Sequence, residues 1–158
     1  MTDKPHAIVV FDGDCGLCNG FVAWLIRHDR ERRFLIAGSD GPVGRAALSA
    51  IGLPAEVAAS TIVVATADGA RLRSDAVATV LARLGWPWRA AVGIRAVPRV
   101  LRDGAYSMIA ARRPRRPALD PACGTPPPQL VAEWRSRLAT VDDVDALSVA
   151  ASGRHRTA

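Results

Sequence analysis

The stretch "VVFDGDCGLCNGF", Val9–Phe21, decides how the chain folds. A β-branched apolar run ends in an acidic, glycine-containing turn, and two cysteines follow three residues apart. The run belongs to "AIVVF" (Ala7–Phe11), which does not alternate and so reads as a strand buried on both faces. From Cys15 to about Arg30, the residues Leu17, Phe21, Leu25 and His28, with Val22 and Ile26, recur at helical spacing. "RRFLIAG" (Arg32–Gly38) reads as a second strand. Strand, helix and strand in that order imply a parallel pair with a right-handed crossover, and the cysteines fall where strand passes into helix.

Further along, "GRAALSAIG" (Gly44–Gly52) reads as a helix stopped by Gly52 and Pro54. "STIVVATADGARLRS" (Ser60–Ser74) holds two strand-like runs around Asp68-Gly69, a strong hairpin signal. Ser74 is then expected to cap a helix over Asp75–Gly85. The order β-α-β-α-β-β-α is that of a minimal thioredoxin-like fold. Beyond Trp86 the pattern changes to short helices broken at Pro87 and Pro98. A proline-rich loop, "PRRPALDPACGTPPPQ", follows, and then one more amphipathic helix over Gln129–Val141. The expected fold is therefore a three-layer α/β domain with a small mixed sheet and a helical C-terminal extension. A single domain is expected over 1–140, with its core at about 7–86 and the extension at about 87–140. Residues 141–158 are expected to be a partly disordered tail.

A thiol at the first turn of a helix meets unpaired backbone N–H groups and the positive end of the dipole, and both favour thiolate. Cys15 is thus expected to be the exposed, attacking thiol. Cys18 lies one turn on, on the same face and within disulfide reach, as the resolving thiol. Asp12 and Asp14 oppose thiolate formation by charge. Asp14 reads as a helix N-cap. Asp12, at the end of a buried strand, is a candidate to take and return the proton of Cys18, the alternative being an Asx turn.

Other uses of this motif have less behind them. A metal site needs two more ligands, and only Cys123, His6, His28 and His155 are available, with no second CxxC and no HxxxH. "VVFDGDCGL" is also similar to the opening of the haloacid dehalogenase superfamily. Gly16, however, stands where that pattern has Thr or Val, and the sole lysine, Lys4, lies upstream of the strand. No metal and no cofactor are expected.

The bulk composition fits an ordinary globular domain, with 49% hydrophobic and 23% charged residues in 158. No apolar run reaches the roughly 18 residues of a spanning helix. The start has no secretory pattern, so a cytoplasmic location is expected. The formal charge of +6 comes almost entirely from arginine. Its one dense cluster, "ARRPRRP" (Ala111–Pro117), lacks the interleaved aromatics that single-strand nucleic-acid binders use, so nucleic acid is not an expected partner.

Beyond these local readings, the chain resembles the DCC family of predicted thiol–disulfide oxidoreductases. The resemblance runs from "FDGDCGLCNGFVAWLIRHD" (Phe11–Asp29) through "RSDAVATVLARLG" (Arg73–Gly85) and the segment from Pro87 to Arg113, and extends to Cys123. It implies a thioredoxin-like fold, carries Cys15 and Cys18 over as the redox pair, and makes Asp12 the motif acid. Ser74 and Asp75 match further family positions. Thioredoxins in the broad sense place a cis-proline just before the third strand. The nearest proline here, Pro54, is six residues before Ser60, so Ser60 or Thr61 is expected to face the cysteines. The expected function is thiol–disulfide exchange with a protein or small-molecule partner. The competing expectation is a non-catalytic binding module whose arginine surface holds an acidic partner.

Overall fold

The computed structural model describes residues 7–112 and 128–154. Strand β1 (Ala7–Phe11) is wholly buried and pairs in parallel with β2 (Phe34–Gly38), Ala7 opposite Phe34 and Phe11 opposite Gly38. Helix α1 (Gly16–His28) makes the crossover between them. After α2 (Pro42–Ala50) and the single turn α3 (Val57–Ser60), β3 (Val63–Thr66) runs antiparallel to β1 and forms a hairpin with β4 (Gly69–Leu72). The four-stranded mixed sheet has the order β2-β1-β3-β4, the thioredoxin-like arrangement that the sequence pattern predicts.

Strand side chains alternate between faces, and both faces of this sheet are covered. Val9, Phe11, Ile36 and Val64 pack with Val22 and Leu25 of α1 and with Val80 of α4 (Arg73–Leu84). Ile8, Val10, Val63 and Ala65 pack on the other side with Leu48 of α2, Ala58 of α3 and Leu147 of the last helix. That sandwich explains the unbroken apolar run of β1. Helix α2 comes so close to the end of β2 that a Cβ at Gly44 would lie 2.1 Å from the Gly38 carbonyl oxygen.

The helical extension consists of a 3-10 segment (Trp88–Ala96) and α5 (Arg99–Ala111), broken at prolines as the sequence indicates. The proline-rich loop, including Cys123 and most of the 112–116 arginine cluster, lies outside the described residues, as do Lys4, His6 and His155. Helix α6 (Pro128–Ser136) is shorter than the expected Gln129–Val141. Residues 137–139 then add to the free edge of β2: Leu138 bridges Ile36 in parallel, with Ile36 N–H donating to Arg137 O at 2.8 Å. Thr140 and Asp143 cap each other reciprocally and start α7 (Val141–Arg154). Val141–Arg154 lies within the segment 141–158 that the sequence reads as a partly disordered tail. Val144 and Leu147 are buried against α2, and that apolar contact holds the helix in place.

Arg137 fixes this C-terminal return. Its guanidinium donates to Asp29 Oδ2 and Asp29 O, both at 2.6 Å, and to Phe34 O, and it also pairs with Glu133. Asp29 is itself buried and accepts the backbone N–H groups of Arg33 and Phe34. Among the described residues, no helix is long and apolar enough to cross a membrane.

Candidate active site

Between β1 and α1 the chain turns through Asp12, Gly13 and Asp14. Asp12 Oδ1 accepts the Asp14 N–H at 2.9 Å, the geometry of an Asx turn, and Asp12 O accepts the Cys15 N–H. Asn19, one turn into the helix, donates to Gly13 O at 2.7 Å and ties the turn down. Asp12 is half-buried, and its carboxylate lies near those of the exposed Asp14 and Asp40.

Cys15 is the N-cap of α1, a position that the sequence assigned to Asp14. Its extended backbone turns the side chain back over the first turn, where Sγ accepts the Cys18 N–H at 3.3 Å. The sulfur thus receives one of the orphan donors of the helix start, and no acid occupies that first turn. Cys18 follows on the same face, and no disulfide joins it to Cys15.

Contrary to expectation, Cys15 is not exposed: both thiols are only 1% accessible. The inward turn of the N-cap places Cys15 within the cluster of Phe11, Ile62 and Val64, and Cys18 joins it. Cys18 borders a cavity of about 180 Å³ lined by Leu17, Phe21, Ile62, Val77, Tyr106, Ile109 and Ala110. Helix α5 of the extension forms one wall of this cavity.

Neither Ser60 nor Thr61 lines the cavity. The Ser60 hydroxyl donates to Val57 O, and Thr61 bonds to Tyr106 and to the Arg73 N–H. The next residue, Ile62, lines the cavity with Cys18, and its backbone N–H donates to the Tyr106 hydroxyl at 3.2 Å. Tyr106 was not singled out from the sequence, although it is the chain's sole tyrosine.

The rest of the inner face of α5 is polar. Arg102 Nη1 reaches Asp75 Oδ1 at 3.0 Å, Arg99 reaches Asp75 Oδ2 at 2.7 Å, and Ser74 donates to Asp103. Ser74 is therefore not the cap of α4, which begins at Arg73 with Leu72 in the cap position. The Ser74 hydrogen bond, with Arg99 and Arg73 nearby, holds the Asp103 carboxyl below the usual carboxylate range. His28 is a satisfied helix residue: its Nδ1 pairs with Trp24 O at 2.7 Å, and its ring lies tilted against Trp24 and meets Trp88 edge-on.

The family model for DCC1-like thiol-disulfide oxidoreductases matches residues 9–118. Among curated proteins, the chain is 34% identical over 110 residues to "Uncharacterized protein YuxK" of Bacillus subtilis, covering 69% of this chain and 79% of that protein. It is 29% identical over 113 residues to "DCC family protein At1g52590, chloroplastic" of Arabidopsis thaliana, covering 70% of this chain and 64% of the plant protein. No solved structure matches significantly.

Proposed function

Because the chain belongs to the DCC1-like thiol-disulfide oxidoreductase family, we propose that Cys15 and Cys18 exchange electrons with a partner disulfide. The observation that carries this reading is the Cys15 sulfur at the N-cap, accepting the Cys18 N–H at the start of a helix without first-turn acid. That bond holds the Cys15 sulfur over the first turn, on the face that also carries Cys18.

In the first step the Cys15 thiolate attacks one sulfur of the substrate disulfide, forming a mixed disulfide and expelling the other substrate sulfur as thiolate. Cys18 then loses its proton and attacks Cys15 Sγ. That breaks the mixed disulfide, releases the second substrate thiol and leaves Cys15–Cys18 oxidised. Two electrons pass from the protein dithiol to the substrate, and the two Cys protons end on the released thiols. The same steps in reverse oxidise a dithiol. We assign Asp12 the transfer of the Cys18 proton, on the basis of its place in the turn that leads into Cys15 and the first turn of α1. The substrate is a protein or small-molecule disulfide, and the site of action is the cytoplasm, where such pairs do chemistry more often than they hold a fold.

Trapping tests the reading. A Cys18→Ser variant stalls at the mixed disulfide, so the substrate stays linked to Cys15 and is released by reductant. Failure to accumulate any mixed disulfide at Cys15, together with no turnover of a low-molecular-weight disulfide by the wild type, overturns it. The near-complete burial of both thiols favours the second reading, a binding module that keeps the pair without turnover. A measurable two-electron potential with turnover rejects that alternative.

A further inference from the structure

Helix α5 is packed inside out. Its inner face carries Arg102, Asp103 and Tyr106, which hydrogen-bond to α4 and to the start of β3. Its outer face carries Val100, Leu101, Gly104, Ala105, Met108 and Ala111, all exposed, at the one-turn spacings that put them on one side of the helix. Val100 is 83% accessible, Leu101 65% and Met108 59%. No residue of α5 or of the preceding 3-10 segment is buried, and Ile94 and Val97 of that region are exposed as well. An ordinary surface helix has the opposite arrangement, so this face is built for an apolar environment.

Charge identifies the occupant. Trp86–Arg112 contains five arginines (Arg89, Arg95, Arg99, Arg102 and Arg112) against a single acid, Asp103, a net of +4. Asp103 is taken up on the inner face, so no acid of Trp86–Arg112 is exposed beside the apolar stripe. Arg89 and Arg112 are exposed and make no ion pair among the described residues. Asp75, which pairs with Arg99 and Arg102, reduces the net charge to +3, so a second copy of the same face would still bring like charge against like charge. The outer face is also a stripe with one polar side chain, Ser107. An apolar helix face in an arginine-rich segment suits an anionic bilayer surface, which needs neither grooves nor matched hydrogen bonds.

We propose that α5 seats this protein on the surface of an anionic membrane, with Val100, Leu101 and Met108 in the headgroup–acyl boundary and Arg89 and Arg112 at the lipid phosphates. The proposal stands apart from the redox chemistry, because none of these five residues lines the thiol cavity.

Co-sedimentation of the full chain with sucrose-loaded vesicles tests it, using equal parts phosphatidylcholine and phosphatidylglycerol against phosphatidylcholine alone. The wild type should partition at least about tenfold more strongly onto the anionic vesicles. Leu101→Glu with Met108→Glu should lower that partitioning about tenfold or more. The melting temperature and the turnover of a small disulfide should stay unchanged. Arg89→Gln with Arg112→Gln should weaken binding to anionic vesicles while leaving the apolar stripe intact, and this arm stands even if the glutamate variant fails to fold. Wild-type protein that stays in the supernatant with both vesicles overturns the proposal. So does equal binding to neutral and anionic vesicles. A dimer in sedimentation equilibrium that the glutamate pair dissociates, without vesicle binding, assigns the face to a second copy instead.

Discussion

Tyr106→Phe isolates the contact between α5 and the start of β3. The phenyl ring keeps its place in the cavity wall, and only the hydroxyl is lost. Thr61 Oγ1 retains the Arg73 N–H at 3.1 Å, but the Ile62 N–H loses the acceptor that it has at 3.2 Å. Leaving such a donor without its partner costs about 1–2 kcal/mol, a factor of about 5–30 in the ratio of closed to open α5. Because Cys18 borders the cavity that α5 walls off, its alkylation should accelerate by the same factor. The assay is iodoacetamide labelling at fixed pH, with Cys15 and Cys18 resolved by peptide mass spectrometry.

Global unfolding would also expose both thiols, so a second variant separates the two routes. Arg137→Met destabilises the domain from the far end of α1, without touching α5. If the thiols react only through global unfolding, Arg137→Met should speed labelling more than Tyr106→Phe does. Labelling of Tyr106→Phe within about twofold of wild type, less than one lost hydrogen bond should give, refutes the view that α5 gates the pair.

Arg137→Met by itself leaves the buried Asp29 carboxylate without its cation, a loss of about 3–5 kcal/mol that should lower the thermal midpoint by about 6–20 °C. A change of only a degree or two would mean that water replaces the guanidinium. Ser74→Ala bears on acid stability. Asp103 has a folded pKa below its unfolded one, so its stabilisation is complete above about pH 4 and is lost as pH falls through the folded value. Removing the hydroxyl should shrink that acid-side loss in a pH series of melts, and an unchanged pH profile counts against the Ser74 bond as its cause. Asp12→Asn should slow exchange at neutral pH, most in the step where Cys18 attacks, with little effect on melting. Wild-type rates across neutral pH would leave Asp12 as a turn residue alone.

What the sequence revealed were the features with local signatures. The uninterrupted β1 run, the apolar spacing of α1 and the Asp68-Gly69 hairpin each depend on neighbours a few residues apart, and all three are present. The site was legible only as far as the motif reaches. That Cys15 would be buried follows from packing against Ile62 and Val64, about 50 residues later, and the Tyr106–Ile62 bond beside the cavity of Cys18 spans 44 positions. The Asp29–Arg137 pair spans 108 and leaves no periodic trace. Helical spacing in α5 marks two faces but not which one meets the domain. The usual preference, apolar inward, gives the wrong orientation here. The segment of α7 carries only two residues, Val144 and Leu147, that the fold buries, one turn apart, and their partners on α2 lie about 100 positions earlier.

The inverted packing of α5 also bears on how buried thiols can take part in the proposed exchange. A helix held by apolar side chains loses about 1.5–3 kcal/mol for each one exposed, so a cover with several buried leucines would seal the pair. Helix α5 buries none fully. Ile109 and Ala110 line the cavity beside Cys18, but the hydrogen-bonded attachments of α5 are the Tyr106 hydroxyl, the Ser74–Asp103 bond and the arginine pairs to Asp75. Arg99 is largely exposed, so its pair with Asp75 contributes at most about 1 kcal/mol. Arg102, which is mostly buried, contributes more, but its charge and that of Asp75 are rehydrated when the helix lifts, which offsets much of the loss. Polar attachments that water can replace give α5 a lower opening cost than an apolar cover of the same length. The thiols can therefore stay dry between encounters and still be reached when a substrate, or the surface that the outer face of α5 meets, draws the helix away.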